Sequence, residues 1–325
     1  MEMNSRTKPL STFAVVSLCA LGTSLGCGLI NNSSTAHPPP ANGSLQTHDV
    51  DAASTGAGIS SSFGSHQALV DTGVASNGRL LLFLPGTAAE PRAYQRLLTV
   101  AAEEGYHAIG LAYPNDESLQ TICGNDTSCY EPVRLEIFDG TDRTNQISVD
   151  SANSVVNRTV TLLQHLDGAF GDEGWGAFLQ NGNPSYGDIT ISGHSQGGGE
   201  AAIIAKVETV ARVAMFSAPV DAVDGSPAAW VNQTHQTPTN RYFAFAHQDD
   251  PFFDDITANW EALGMGAASS AVLVDTSSAP YGGSHELETA LPAAQPHNAT
   301  AVDEDTPLAG DAPVYGDAWR TVLGP

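Results

Sequence analysis

The chain has 325 residues, 41% of them apolar, with 36 acidic against 12 basic side chains and a formal charge of −24. That length suits one large α/β domain, since such domains of about 200–300 residues commonly stay undivided. The charge argues against partners held by their phosphates or anionic headgroups, both of which its field repels, so nucleic acid is not an expected partner.

The first element runs from Met1 to Lys8, with Arg6 and Lys8 as its basic side chains. An apolar run from Phe13 to Leu25 follows and is closed by Gly26-Cys27-Gly28. This basic, apolar, small-residue order is that of an export signal, and the run falls short of the ~20 residues of a comfortable membrane span. Residues 1–27 are therefore expected to be removed or anchored, outside the fold. Cys27 follows Ser24-Leu25-Gly26, which resembles a lipoprotein box with Ser where an aliphatic residue is usual. Both lipidation of Cys27, giving a membrane tether, and plain cleavage with free secretion remain open. Residues 28–65, with Pro38-Pro39-Pro40 and Gly56-Ala57-Gly58, hold few large apolar groups and read as a disordered tether.

Residues 66–325 are expected to form the catalytic domain, and from Leu80 onward the pattern becomes one of short apolar runs alternating with amphipathic stretches, the signature of βαβ units around a mainly parallel sheet with helices on both faces. Leu80 to Leu84 predicts a buried strand ended by Pro85-Gly86, and Pro91 opens a helix with Tyr94, Leu97, Leu98, Ala101 and Ala102 on one face. Tyr106 to Ala112 is the next strand. Val156, Thr159, Val160, Leu163 and Leu166 follow helical spacing, with Asp150 or Ser151 as its cap. Asp188 to Ser192, Ala211 to Ser217, Arg241 to Ala246 and Ala271 to Val274 supply four further strands. Between Asn115 and Gln146 the connection is too long for a simple loop and reads either as a cover for a pocket or as a stabilised surface loop.

Outside the leader the cysteines are Cys123 and Cys129, which flank a short polar loop; in an exported chain this spacing suggests a disulfide. A lone cysteine pair without nearby histidines falls short of a metal's donor set, and no metal is expected.

The segment Ile189-Thr190-Ile191-Ser192 runs straight into Gly193-His194-Ser195-Gln196-Gly197 and then into Ala201 to Ala205. A serine in such a strand–turn–helix adopts a strained conformation that only small residues two positions away accommodate. Its hydroxyl then stands at a helix N-terminus, where developing negative charge is favoured. Ser195 is thus the candidate nucleophile. The oxyanion donors expected are the amides of Gln196, next in sequence, and Thr87, in the loop after an earlier strand. A serine needs a histidine to accept its proton and a carboxylate to orient that histidine, in the chain order Ser, acid, His. Asp250, in the turn after the Arg241 strand, is the first candidate acid, with Asp249 and Asp221 as alternatives. His285 is the first candidate base, reached through the turn Tyr281 to Ser284, and His297 is the alternative if that turn closes a hairpin. His194 is expected to pack away from the elbow, and His247 to wall the acid turn.

Leu84-Pro85-Gly86-Thr87, Cys123 with Cys129-Tyr130, Val133 to Gly140, Glu173-Gly174-Trp175-Gly176, Gly193 to Gly198 and Tyr281 to His285 resemble the secreted BPSS-type lipase-like α/β-hydrolases. More distantly, the elbow and oxyanion loop are similar to polyester hydrolases and chlorophyllases. The resemblance implies an α/β-hydrolase fold and cofactor-free hydrolysis of a small-molecule ester or lipid by a protein expected to be monomeric. A peptidase or acyltransferase using the same triad, or an exported binding protein that kept the fold without the chemistry, are the competing expectations.

Overall fold

The computed structural model describes residues 44–267 and 270–324. Residues 1–43, which include the expected leader, Cys27 and the first part of the expected tether, lie outside the described residues.

Nine strands make up one sheet: β1 (Leu45–Asp51), β2 (Ser65–Asp71), β3 (Leu80–Leu84), β4 (His107–Gly110), β5 (Ile189–His194), β6 (Arg212–Phe216), β7 (Tyr242–His247), β8 (Val272–Leu273) and β9 (Glu286–Thr289). Across the sheet they stand in the order β1-β2-β4-β3-β5-β6-β7-β9-β8. β2 is antiparallel to both β1 and β4, and every other neighbouring pair is parallel. Parallel strands covered by helices on both faces need continuous apolar side chains, and Leu80 to Leu84 is buried at every position. One face carries α3 (Tyr130–Asp139), α4 (Val155–Ala169), α5 (Gln196–Val207) and α6 (Phe253–Leu263), whose Val133, Leu162, Ile203 and Trp260 fill one core. The other carries α1 (Gln95–Glu103) and α8 (Gly316–Leu323), with Leu97, Leu98, Trp319 and Val322 in a second core. The molecule has the α/β-hydrolase architecture.

Three expectations are corrected. The tether does not extend to residue 65, because Leu45–Asp51 is the edge strand β1, in register with β2 from Leu45 opposite Asp71 to Asp51 opposite Ser65. Its sequence, LQTHDVD, lacks a run of large apolar residues. The strand is held by main-chain pairing and by His48, which stacks on Phe170 and meets the Glu173 carboxylate at 2.9 Å. α4 is capped later than expected: its cap is Ser154, not Asp150 or Ser151, with the Ser154 hydroxyl accepting from the Asn157 amide. The segment from Asn115 to Gln146 is more than a loop, since α3 within it buries Tyr130, Val133, Arg134 and Ile137 beneath the Ser195 turn, while Gly124 to Asp126 and Thr141 to Arg143 are exposed. Just before α3, Cys123, the last residue of α2 (Leu119–Cys123), forms a disulfide with Cys129, their Cα atoms 5.5 Å apart.

Candidate active site

In a parallel sheet the loops that gather at the carboxyl ends of the strands build the site. β5 ends there at His194, and Ser195 follows with φ 54° and ψ −118°, a region L side chains avoid at a cost on the order of 1–3 kcal/mol. The turn is held by the Ser195 amide donating to the Phe216 carbonyl at 2.9 Å, and by the Gly198 and Gly199 amides donating to the Ser195 carbonyl at 3.0 and 3.1 Å. A side chain at Gly193 would collide with the Gly197 carbonyl, and one at Gly197 would lie 2.6 Å from the Pro85 carbonyl oxygen. The two glycines therefore let the strand, the turn and the Pro85-Gly86-Thr87 loop pass one another.

His297 Nε2 lies 2.8 Å from Ser195 Oγ, and its Nδ1 lies 2.7 Å from Asp250 Oδ2. The Asp250 side chain is fully buried while that of His297 is 19% exposed, so the carboxylate is shielded and the imidazole edge is reachable. The other oxygen of Asp250 accepts the Phe252 amide at 2.8 Å. His247 braces this acid turn: its Nδ1 accepts the Asp249 amide at 3.0 Å, so Nε2 carries the proton and donates to the Leu291 carbonyl at 2.6 Å.

β3 pairs with β5 so that Leu84 stands opposite Gly193, which sets Pro85-Gly86-Thr87 beside the elbow. The Thr87 hydroxyl donates to Gln196 Oε1 at 2.6 Å, tying the two expected oxyanion residues together. Gln196 opens α5, where helical amides have no internal acceptor.

The histidine beside Ser195 is thus His297, and His285 is not part of the cluster. His285 immediately precedes the parallel strand β9 and so sits at the amino-terminal edge of the sheet, opposite the edge where β5 ends. There its ring stacks on Phe243 with centroids 4.1 Å apart and its Nδ1 lies 2.9 Å from the Tyr242 carbonyl. Tyr281 to Ser284 forms a 3₁₀ turn and no hairpin; the chain then crosses the sheet along β9 and reaches the site edge on α7 (Pro296–Ala299), which carries His297. The alternative acids are occupied elsewhere or face outward. Asp249 is exposed, and the buried Asp221 accepts from Arg134 Nε and Nη2 at 2.7 and 2.5 Å and from Trp230 Nε1 at 2.9 Å.

The sequence analysis missed a buried charged cluster beneath the elbow. Arg134 from α3 reaches the Gln196 carbonyl at 3.0 Å and Glu200 at 3.2 Å besides Asp221. Burial raises the Glu200 carboxyl to about 8, a shift the facing Arg134 reduces. The available signal was Glu200 itself, one carboxylate in the apolar run Gly197 to Ala205. Among the described residues no group of histidine, cysteine and acidic side chains could hold a metal ion, and no helix is long and apolar enough to cross a membrane.

These features define a serine-hydrolase-like site on an α/β-hydrolase fold. No family model matches the chain, and no curated protein is detectably similar, so the likeness to the BPSS-type family rests on the motifs alone. Among solved structures, a tributyrin-phosphonate-inhibited esterase B from Lactobacillus rhamnosis is 12% identical, covering 76% of this chain and 75% of its own, with a TM-score of 0.42. A putative dienelactone hydrolase from Klebsiella pneumoniae is 11% identical over 81% of this chain and 93% of its own, with a TM-score of 0.39. An S-formylglutathione hydrolase from Agrobacterium tumefaciens is 14% identical over 67% and 81%, with a TM-score of 0.37. At this level of likeness the chemistry is read from this chain's own side chains.

Proposed function

We propose that the protein is an exported serine hydrolase that cleaves carboxylic esters, including lipid esters, through an acyl-enzyme. The observation that carries this reading is the unbroken chain from Ser195 Oγ to His297 Nε2 at 2.8 Å and from His297 Nδ1 to Asp250 Oδ2 at 2.7 Å. With Asp250 ionised, Nδ1 holds the imidazole proton and Nε2 presents its lone pair to the serine hydroxyl. Ser195 attacks the ester carbonyl as His297 accepts its proton, and the Thr87 and Gln196 amides stabilise the oxyanion. His297 then returns that proton to the departing alkoxide. A water, deprotonated in turn by His297, attacks the acyl-serine; the acyl–Oγ bond breaks to release the acid, and His297 gives the proton to Ser195 Oγ, restoring both residues.

Export is supported by the leader-like order of residues 1–27 and by the disulfide, which suits an oxidising compartment. Lipid attachment at Cys27 is tested by metabolic labelling with an alkynyl fatty acid, where a Cys27→Ala variant should lose the label.

The decisive experiment is covalent labelling by a fluorophosphonate with p-nitrophenyl butyrate turnover measured in parallel. Wild type should react at Ser195 and turn over, whereas Ser195→Ala should lose both, with a fall in kcat of about 10³-fold or more. Wild type that neither labels nor turns over would support the competing reading of a binding protein with a hydrolase fold.

A further inference from the structure

We propose that Tyr94 and His194 form a positioning unit that fixes the backbone of the base, His297, and the oxyanion loop to the nucleophile turn. The proposal deepens the hydrolase reading and rests on it.

The hydrogen-bond polarity of this unit is determined by its fixed donors and acceptors. The Gly86 amide can only donate, and it donates to the Tyr94 oxygen at 3.0 Å. The carbonyl of His297 can only accept, and it lies 2.9 Å from His194 Nε2, which must therefore carry a proton. A neutral His194 then has an acceptor at Nδ1, 3.1 Å from the Tyr94 oxygen, and the phenol proton points there. The chain runs without a mismatch from the Gly86 amide through Tyr94 and His194 to the His297 carbonyl. Burial, with the neighbouring His297 adding to it, lowers His194 to about 3, and burial raises the Tyr94 phenol. Both groups stay neutral over the range in which a serine hydrolase works, and the polarity of the chain is preserved.

The base needs this support. Asp250 aims the His297 ring, but it does not place the Cα from which the ring projects. His297 rides on α7, a helix of only four residues. The next residues are pinned elsewhere: Trp319 Nε1 donates to the Thr300 carbonyl at 2.7 Å, and the Ser217 and Thr300 hydroxyls meet at 2.9 Å. His194 supplies the tie at His297 itself. Because His194 directly precedes Ser195, one dipeptide holds the base twice, by its carbonyl through His194 and by its ring through Ser195. The spacing between nucleophile and base is then fixed independently of substrate. Through Tyr94 the same unit reaches Gly86, the neighbour of Thr87, so the oxyanion loop moves with the base and not against it.

The test compares three variants in p-nitrophenyl butyrate kinetics, with thermal midpoints measured on each. His194→Phe keeps a ring in the space but removes both hydrogen bonds. It should lose about 10- to 100-fold in kcat at nearly unchanged KM, the scale expected when a catalytic group drifts by up to an ångström. His194→Gln restores an N–H for the His297 carbonyl and should recover most of that loss. Tyr94→Phe, which deletes a single oxygen, should lower kcat in the same direction, and it tests the proposal if His194→Phe fails to fold. A wild-type kcat in His194→Phe or Tyr94→Phe, or a folded His194→Gln no better than His194→Phe, overturns the positioning role. Inactive wild type sinks the hydrolase reading instead, so the two failures are separable.

Discussion

Replacing Asp250 by Asn tests the proton logic of the site with almost no change in shape. Oδ1 of Asp250 accepts the Phe252 amide at 2.8 Å, so the Asn carbonyl oxygen must take that position. The reverse orientation would set two donors against each other in a buried turn, costing about 1–3 kcal/mol. The Asn NH₂ therefore occupies the place of Oδ2, 2.7 Å from His297 Nδ1. A donor there forces Nδ1 to present its lone pair and moves the imidazole proton to Nε2, which faces Ser195 Oγ at 2.8 Å. In that tautomer His297 cannot accept the serine proton. The expected loss in kcat is on the order of 10⁴-fold, about 5.5 kcal/mol of transition-state stabilisation, with KM near wild type. Initial rates with p-nitrophenyl butyrate, with the fluorophosphonate labelling rate as a second measure, provide the assay. Turnover within about tenfold of wild type would refute the tautomer argument and the role of Asp250 with it.

The two histidines should separate cleanly: His297→Ala should match Ser195→Ala in lost kcat, and the double variant should lose little more, because members of one proton-transfer unit fail together. His285→Ala should keep turnover within about threefold of wild type, and a loss equal to that of His297→Ala would return the role to His285. Removing the bridge by Cys123→Ser with Cys129→Ser should lower the unfolding free energy by roughly 2–3 kcal/mol in urea titrations while kcat is kept, and unchanged stability would count against the loop-entropy account. The buried titratable groups set opposite pH slopes. Burial lowers His66 to about 3 from 6.5, so its contribution is complete above pH 6.5 and is lost as pH falls toward 3. Glu200, raised from 4.5 to about 8, contributes fully below pH 4.5 and loses that contribution as pH rises through 8. The stability of Glu200→Gln relative to wild type should thus improve from pH 4.5 to 8 and level off above; a difference flat in pH would mean that Glu200 is ionised throughout.

The parts of the fold legible in the sequence were those carried by local pattern. Leu80 to Leu84 read as a buried strand because a parallel strand covered on both faces favours a continuous apolar run, and Asp188 to Ser192 read as a strand that leads into the elbow. The elbow read as a turn because its glycines mark where backbones touch. β1 was hidden because LQTHDVD is made a strand by its partner β2 and by Glu173, far along the chain. β9 was hidden for a similar reason: Glu286–Thr289 reads as polar, yet β7 and β8 pair with it on its two sides. Missing β9 is what left the base undecided. Without that strand, His285 stands a short turn from the preceding apolar run. With it, a whole strand lies between His285 and the edge where Ser195 sits, and only His297 reaches the serine.

The charged cluster under the elbow explains why the disulfide-bearing segment belongs to the site although it lines no part of the triad. A buried guanidinium is costly unless its donors are satisfied, and Arg134 meets that requirement only where α3 brings it, against Asp221 after β6 and against Gln196 and Glu200 on α5. A shift of α3 by one turn would leave an unpaired charge in the core, so the cluster fixes the register of three segments at once. One of the atoms it fixes is the carbonyl of Gln196, whose amide is the proposed oxyanion donor, one peptide away. The strained turn at Ser195 is thereby flanked by the Pro85-Gly86-Thr87 loop and His297 on one side and by the Arg134 ion cluster on the other. Glu200 fits that scheme when protonated, because Arg134 and Asp221 then balance each other and the cluster carries no net charge.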